Sequence, residues 1–415
     1  MGLRRGGVRA RPGVGLACPG RREWKRTYSN ETNDLSGQMT QIHDILRKDP
    51  EIWRLFTSAE EYEDTFRDGY DRFPHYMSSH REPFEPLASH YLVEQGYSPE
   101  YPDGQPFAVC LTHDIDLWRK RTLRQLAKEM GKALRRPSRL PAAARAFCRG
   151  PDPWSDLDAI AALEDRYDMR STFFVLPGRP NQVVNGVGVV NSYAARPEAV
   201  RETLRRLVAR GCEVALHGSF DSWRSAEALA AERRDVAALA GADVAGCRQH
   251  FLRLDRPATW QAQAEAGLRY DASLGYHDTD GYRPGLSFPF RPLVSLSLSS
   301  SSSSSNPTPI APQPLPLLEL PLAIYDGGLY EWQTLDADAA WERLRGYLER
   351  TEADGSMLGL LWHNTHFCDL DAPGYRGVYE RALDWIRSHG GWGAPARDIA
   401  DWWLRRSAQL TTAGR

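Results

Sequence analysis

From Pro106 onward, short apolar runs recur along the chain, separated by longer stretches in which apolar residues return every three or four positions. The runs are Phe107–Thr112 (FAVCLT), Ser171–Leu176 (STFFVL), Cys212–His217 (CEVALH), Gly246–Phe251 (GCRQHF), Leu268–Ser273, Leu318–Ile324 (LELPLAI) and Met357–Trp362 (MLGLLW). The stretches between them predict helices over Asp156–Tyr167, Pro197–Arg210, Ser225–Ala240, Asp338–Arg350, Tyr375–Ser388 and Ala396–Arg405. Pro197 suits a first helical turn, and Gly211 ends that segment, as helix punctuation requires. Strand and helix alternating at this spacing predict βαβ units and a parallel sheet. Seven strand-like runs point to an α/β fold, a barrel related to the eight-stranded kind and short by one strand.

Three regions depart from that rhythm. Residues 1–34 are rich in Arg and Gly, with only Val14–Cys18 as an apolar cluster, too short for a secretory core, and read as a disordered tail. Residues 35–105, polar, aromatic-rich and broken by Pro74, Pro83 and Pro86, read as a small helical lead-in to the barrel at 106–405. Inside the barrel lie a basic insertion at 118–150 and a Ser/Pro-rich loop at 293–316, whose composition cannot bury a core.

Composition narrows the function. The 415 residues carry Lys+Arg 52 and Asp+Glu 54, net −2, which gives no global excess for nucleic acid. No apolar run approaches the ~20 residues that span a bilayer. The six cysteines form no CxxC, which fits neither a thiolate zinc site nor a disulfide framework, and a reducing, cytoplasmic setting is expected. The insertion is different in kind: it holds eleven Lys/Arg against the single acid Glu129, and Leu123, Leu126, Met130 and Leu134 make an apolar stripe at helical spacing. A cationic amphipathic helix of that sort suits peripheral contact with an anionic surface, such as that of the inner membrane, and the same charge suits a grip on a phosphorylated ligand in solution.

The polar residues of chemical interest fall at the ends of the runs: Thr112-His113-Asp114-Ile115-Asp116, His217-Gly218-Ser219-Phe220-Asp221, Arg248-Gln249-His250, Asp271, and Trp362-His363-Asn364. In a parallel barrel the C-terminal strand ends share one mouth, where active sites sit. Carboxylates, imidazoles and a guanidinium converging there suit a divalent metal, with zinc the best match for aspartate oxygen and imidazole nitrogen. Trp223, Asp271, Trp362 and Asn364 are the expected substrate contacts.

The order THDID, STFF, LHGS, RQHF, LLWHN resembles the polysaccharide deacetylases of the NodB-homology, carbohydrate esterase type, in a bacterial branch with THDxD and RQH-aromatic-LR motifs. The resemblance runs from Pro106 to about Arg405 and implies an irregular seven-stranded (β/α) barrel. It also implies roles: Asp114 as general base, Asp116 and His217 as metal ligands, Arg248 as the group that holds the base, and His363 as general acid. Where the family has a second ligand histidine, four residues after the first, this chain has Asp221; His250 is the expected replacement, with Asp221 as the alternative. The implied activity is metal-dependent removal of N-acetyl groups from an amino-sugar-containing saccharide, as in surface polysaccharide assembly. The alternatives are an amidase with little or no need of metal, acting on a non-sugar C–N bond, and a non-catalytic saccharide-binding barrel.

Overall fold

The structure, a computed structural model, describes residues 37–63, 66–177, 182–184, 187–189, 197–294 and 313–413. The tail expected over 1–34 and residues 295–312 of the Ser/Pro-rich loop expected over 293–316 lie outside the described residues, while its ends Leu293–Val294 and Gln313–Pro314 pair as short antiparallel strands. Nine strands form the main sheet: β1 Ala108–Ile115, β2 Thr172–Val175, β3 Glu213–Gly218, β4 Gly246–Gln249, β5 Tyr270–Asp271, β6 Leu318–Glu319, β7 Ile324–Tyr325, β8 Met357–Leu361 and β9 Trp392–Ala394. Their order is β6-β5-β4-β3-β2-β1-β8-β7, with β9 beside β1, and every pairing among them is parallel. All eight residues of β1 are buried, as expected of a parallel strand with helices on one face and a packed interior on the other.

The sheet curls. Its two outermost strands, β6 and β7, are the two halves of one segment, Leu318–Tyr325, which pairs with β5 at its start and with β8 at its end. Between them the backbone N–H of Leu320 donates to the Asp271 carbonyl (2.8 Å), that of Leu322 to Leu274 (3.1 Å), and that of Ala323 to Gly359 (3.1 Å). Pro321, which has no N–H to donate, stands at the break where the segment passes from β5 to β8. Gly359 faces this break, where any Cβ would run into the Pro321 carbonyl. The strand count therefore differs from the seven expected: Leu318–Ile324 divides in two at Pro321, and Trp392–Ala394 adds one more beside β1.

The helices follow the chemistry of their ends. Ala226–Ala240 starts at Ser225, whose hydroxyl accepts from the Ala228 N–H, and stops at Gly241 in the left-handed region (φ 69°). In the lead-in, helices Gly37–Leu46, Pro50–Thr57, Glu60–Glu63 and Leu87–Glu94 precede the sheet. Ile42, Leu46, Phe56 and Leu92 belong to the same apolar cluster as Leu216, Leu268, Phe288 and Trp403, so lead-in and barrel share one core. The basic insertion folds as two helices, Leu123–Arg135 and Leu140–Cys148.

Candidate metal centre and active site

At the C-terminal ends of β1, β3, β4, β7 and β8 a cavity of about 340 Å³ opens, lined by Asp114, Asp116, His217, His250, His363 and His366 among others. Strand alternation decides who reaches it. On β1, Asp114 faces inward, whereas His113 points to the helices, with its Nδ1 2.8 Å from the Trp362 carbonyl and its Nε2 2.8 Å from Glu164 Oε1.

The guanidinium of Arg248 is buried in the barrel interior, where Phe174 lies 4.5 Å beneath it. Its Nη1 donates to Asp114 Oδ1 (2.9 Å) and Thr112 Oγ1 (2.8 Å), and its Nε donates to the Ala272 carbonyl (2.9 Å). Asp114 is thus fixed in one orientation, with Oδ2 3.7 Å from His217 Nε2.

Beside it, ligand atoms of Asp116, His217 and His250 all lie within 4.8 Å of one another. His217 Nδ1 sits 2.8 Å from the Arg248 carbonyl, an acceptor, so this nitrogen carries a proton and Nε2 faces the carboxylates. Asp116 Oδ1 is 3.1 Å from His217 Nε2 and 3.6 Å from His250 Nε2. In a tetrahedral zinc site with ~2.0–2.1 Å bonds the donor atoms stand about 3.3 Å apart, close to this spacing. Burial pushes the Asp116 carboxyl up, but the imidazoles of His250, His217 and His363 outweigh it and hold the group well below the usual carboxylate range. Burial lowers His250 to about 4, against the pull of Asp116, so its ring is neutral near pH 7. For His217, Asp114 and Asp116 overcome burial and raise the pKa. An ionised carboxylate and two imidazoles converging in this way call for a positive charge between them, supplied by a proton on His217 or by a divalent cation. The donor set fits such a cation.

Across the cavity His363 is oriented by Asp326, a residue that the sequence reading missed. Asp326 Oδ1 is 2.6 Å from His363 Nδ1, its Oδ2 accepts from the His363 backbone N–H (2.7 Å), and the same oxygen lies 2.7 Å from His366 Nδ1. Burial lowers His363, but Asp326, with help from Asp116 and Asp114, raises it to about 10, so it is protonated at neutral pH. Its Nε2 stands 3.8 Å from Asp116 Oδ2. The signal for Asp326 was available: it directly follows β7, as the other site residues follow or end their strands. Tyr70 and Arg72 of the lead-in, with His277 and Trp332, contribute to the rest of the wall.

Several expected residues lie elsewhere. Asp221 is exposed and outside the cavity, so the alternative ligand is not at the cluster, whereas His250 is. The four expected substrate contacts do not line the cavity either. Trp223 packs beneath Arg224 and Arg253 (3.9 and 4.2 Å). Asp271 is fully buried and accepts from Gln263 (2.8 Å) and Ser273 (2.6 Å). Trp362 alternates away from Leu361 and His363 and packs on Tyr375 and Tyr379. Asn364 spends its amide on the Leu117 and Trp154 carbonyls (2.7 and 2.5 Å).

No family model matches the chain. No curated protein matches it either. Among solved structures it is similar to a Mycobacterium smegmatis protein assigned as a polysaccharide deacetylase, at 19% identity over 74% of this chain and 94% of that one, with a TM-score of 0.47. It is similar to Puue allantoinase at 17% identity, over 74% and 94% of the two chains, with a TM-score of 0.47. It is also similar to the peptidoglycan deacetylase PdaC from Bacillus subtilis, at 14% identity over 74% and 95%, with a TM-score of 0.33. At these levels nothing about the site is read across from them. What the chain itself displays is a curled, parallel α/β sheet with a carboxylate–imidazole cluster at its mouth.

Proposed function

We propose that the chain is a metal-dependent hydrolase that removes N-acetyl groups from an amino-sugar-containing saccharide, of the polysaccharide deacetylase type. One observation carries the reading: a carboxylate held by a buried arginine and a protonated imidazole backed by Asp326 flank the Asp116–His217–His250 cluster in one cavity. Those are the parts that amide hydrolysis needs. Asp116, His217 and His250 would hold a divalent cation, with zinc the best match, and such a cation would polarise the amide carbonyl as a Lewis acid.

This chain's own groups do the rest. Arg248 fixes Asp114 so that its free oxygen, Oδ2, can take a proton from the attacking water. His363, charged at neutral pH, gives its Nε2 proton to the leaving amine nitrogen, which cannot depart as an anion. Asp326 keeps His363 in place through the transfer, because it grips both the ring and the backbone of that residue. The products are acetate and a free amino sugar. The test is metal content of the purified protein alongside acetate release from a panel of N-acetylated sugars. Acetate release that depends on a retained metal supports the proposal; no metal and no acetate from any member would overturn it.

A further inference from the structure

The helix Leu123–Arg135 turns its apolar stripe away from the protein. Leu123 and Leu134 are 87% and 83% exposed, and Leu126 and Met130 are 38% and 45% exposed, while the fully buried residues of this helix are Glu129 and Ala133. A helix on a soluble surface does the reverse. The cause lies on the inner face: Glu129 is gripped by Lys132 (2.7 Å), Arg139 (3.1 Å) and Lys120 (3.7 Å), which sets the rotation of the helix and holds the leucines outward. With Leu140 included, five of the twelve large exposed apolar side chains among the described residues fall within this one stretch.

Charge singles out the partner. Of the eleven basic residues of the insertion, Lys120, Lys132 and Arg139 are taken up by Glu129, and Arg121 donates to the Ala146, Arg149 and Gly150 carbonyls. Seven remain without an acidic partner among the described residues: Arg119, Arg124, Lys128, Arg135, Arg136, Arg145 and Arg149. On the helix, Arg124, Lys128 and Arg135 lie roughly 100–140° round from Leu123, on the sector adjoining the stripe. The insertion carries +10 and the whole chain −2, so the rest of the molecule carries −12. A second copy of this face would bring like charges together; an anionic surface attracts this face and repels the others.

We propose that this helix seats the protein on an anionic lipid bilayer, with Leu123, Leu126, Met130 and Leu134 in the headgroup–acyl boundary and the adjoining cations on lipid phosphates. Leu117, six residues before this helix, lines the cavity. The inference does not depend on the chemistry proposed for that cavity.

The test uses the full chain, sedimented with vesicles of phosphatidylcholine alone and of phosphatidylcholine mixed with phosphatidylglycerol, at low and high salt. Binding is expected to the mixed vesicles at low salt, falling as salt screens the phosphates. At roughly fivefold per cation, the triple change Arg124→Gln, Lys128→Gln, Arg135→Gln lowers the partition coefficient by about a hundredfold. The pair Leu123→Ser and Leu134→Ser lowers it as well, with far-UV circular dichroism unchanged in both variants. Equal binding to both vesicle types, or binding to neither, overturns the proposal. So does a lipid-free dimer that the leucine pair abolishes, which would make the stripe a self-association surface.

Discussion

Asp326 serves two imidazoles at once, and the consequence falls on His363. With the carboxylate in place, His363 is raised to about 10 and stays a proton donor across the neutral range. In Asp326→Asn that support is gone and the pKa of His363 falls back toward 6.5. A donor is lost as pH rises through its pKa, so the alkaline limb of kcat/KM moves to lower pH; an unmoved limb would detach Asp326 from the chemistry. The acid–base pair itself has a simpler test: Asp114→Asn and His363→Ala should each lower kcat by at least about a hundredfold. Activity close to the parent chain in either variant removes that residue from the mechanism. Which groups line the cavity was legible in the sequence wherever a polar residue stood at a strand end on the inward register. Trp362 misled because an aromatic next to a motif does not announce which side of the alternation it occupies. Asp271 misled for a related reason: the strand there is two residues long, and its carboxylate is drawn back to Gln263 and Ser273.

Among the elements, the lead-in has the most consequence that the sequence hid. Nothing in the local pattern of residues 66–73 tells that Tyr70 and Arg72 wall the cavity, because the placement depends on long-range pairings. Arg72 donates to the Phe251 carbonyl (2.9 Å) and to Asp68 (2.8 and 2.9 Å), and Asp68 in turn meets His277 (3.1 Å). A second clamp lies deeper, where Glu61 takes both Nε and Nη2 of Arg283 (2.9 and 2.6 Å) and also pairs with Arg256. Burial pushes the Glu61 carboxyl up, but Arg256 and Arg283 outweigh it and hold it at about 2 instead of 4.5. A depressed carboxylate stabilises the fold fully above its unfolded pKa and progressively less as pH falls toward the folded one. The difference corresponds to about 3 kcal/mol, similar to the cost of breaking a buried ion pair. Glu61→Gln should therefore lower the denaturant midpoint at pH 7, with the gap to the parent narrowing between pH 4.5 and 2. A gap that does not change with pH would mean the loss is one of packing rather than charge.

For the molecule as a whole, the parallel α/β sheet was legible because Ala108–Ile115, Thr172–Val175, Glu213–Gly218 and Met357–Leu361 are short, mostly apolar runs that break the helical periodicity around them. The break at Pro321 and the added strand Trp392–Ala394 were not, since each is settled by what lies across from it: Gly359 in one case, β1 in the other. The assembled sheet has a thermodynamic consequence, because Asp116, His217 and His250 stand at the ends of three separate strands, β1, β3 and β4, that the unfolded chain scatters. A cation held by all three binds the native state alone and stabilises the entire fold by mass action, by about 2.7 kcal/mol at a hundred times its Kd. Adding zinc to chelator-treated protein should raise Tm, and the rise should grow with the logarithm of free metal. His250→Ala should abolish it, because that ring is the third member of the cluster, while Asp221→Ala should keep it, because Asp221 is exposed and outside the cavity. The opposite pair of results would return the third ligand to Asp221, through a rearrangement of the loop after β3. A rise retained in both variants would leave Asp116 and His217 as a two-ligand site.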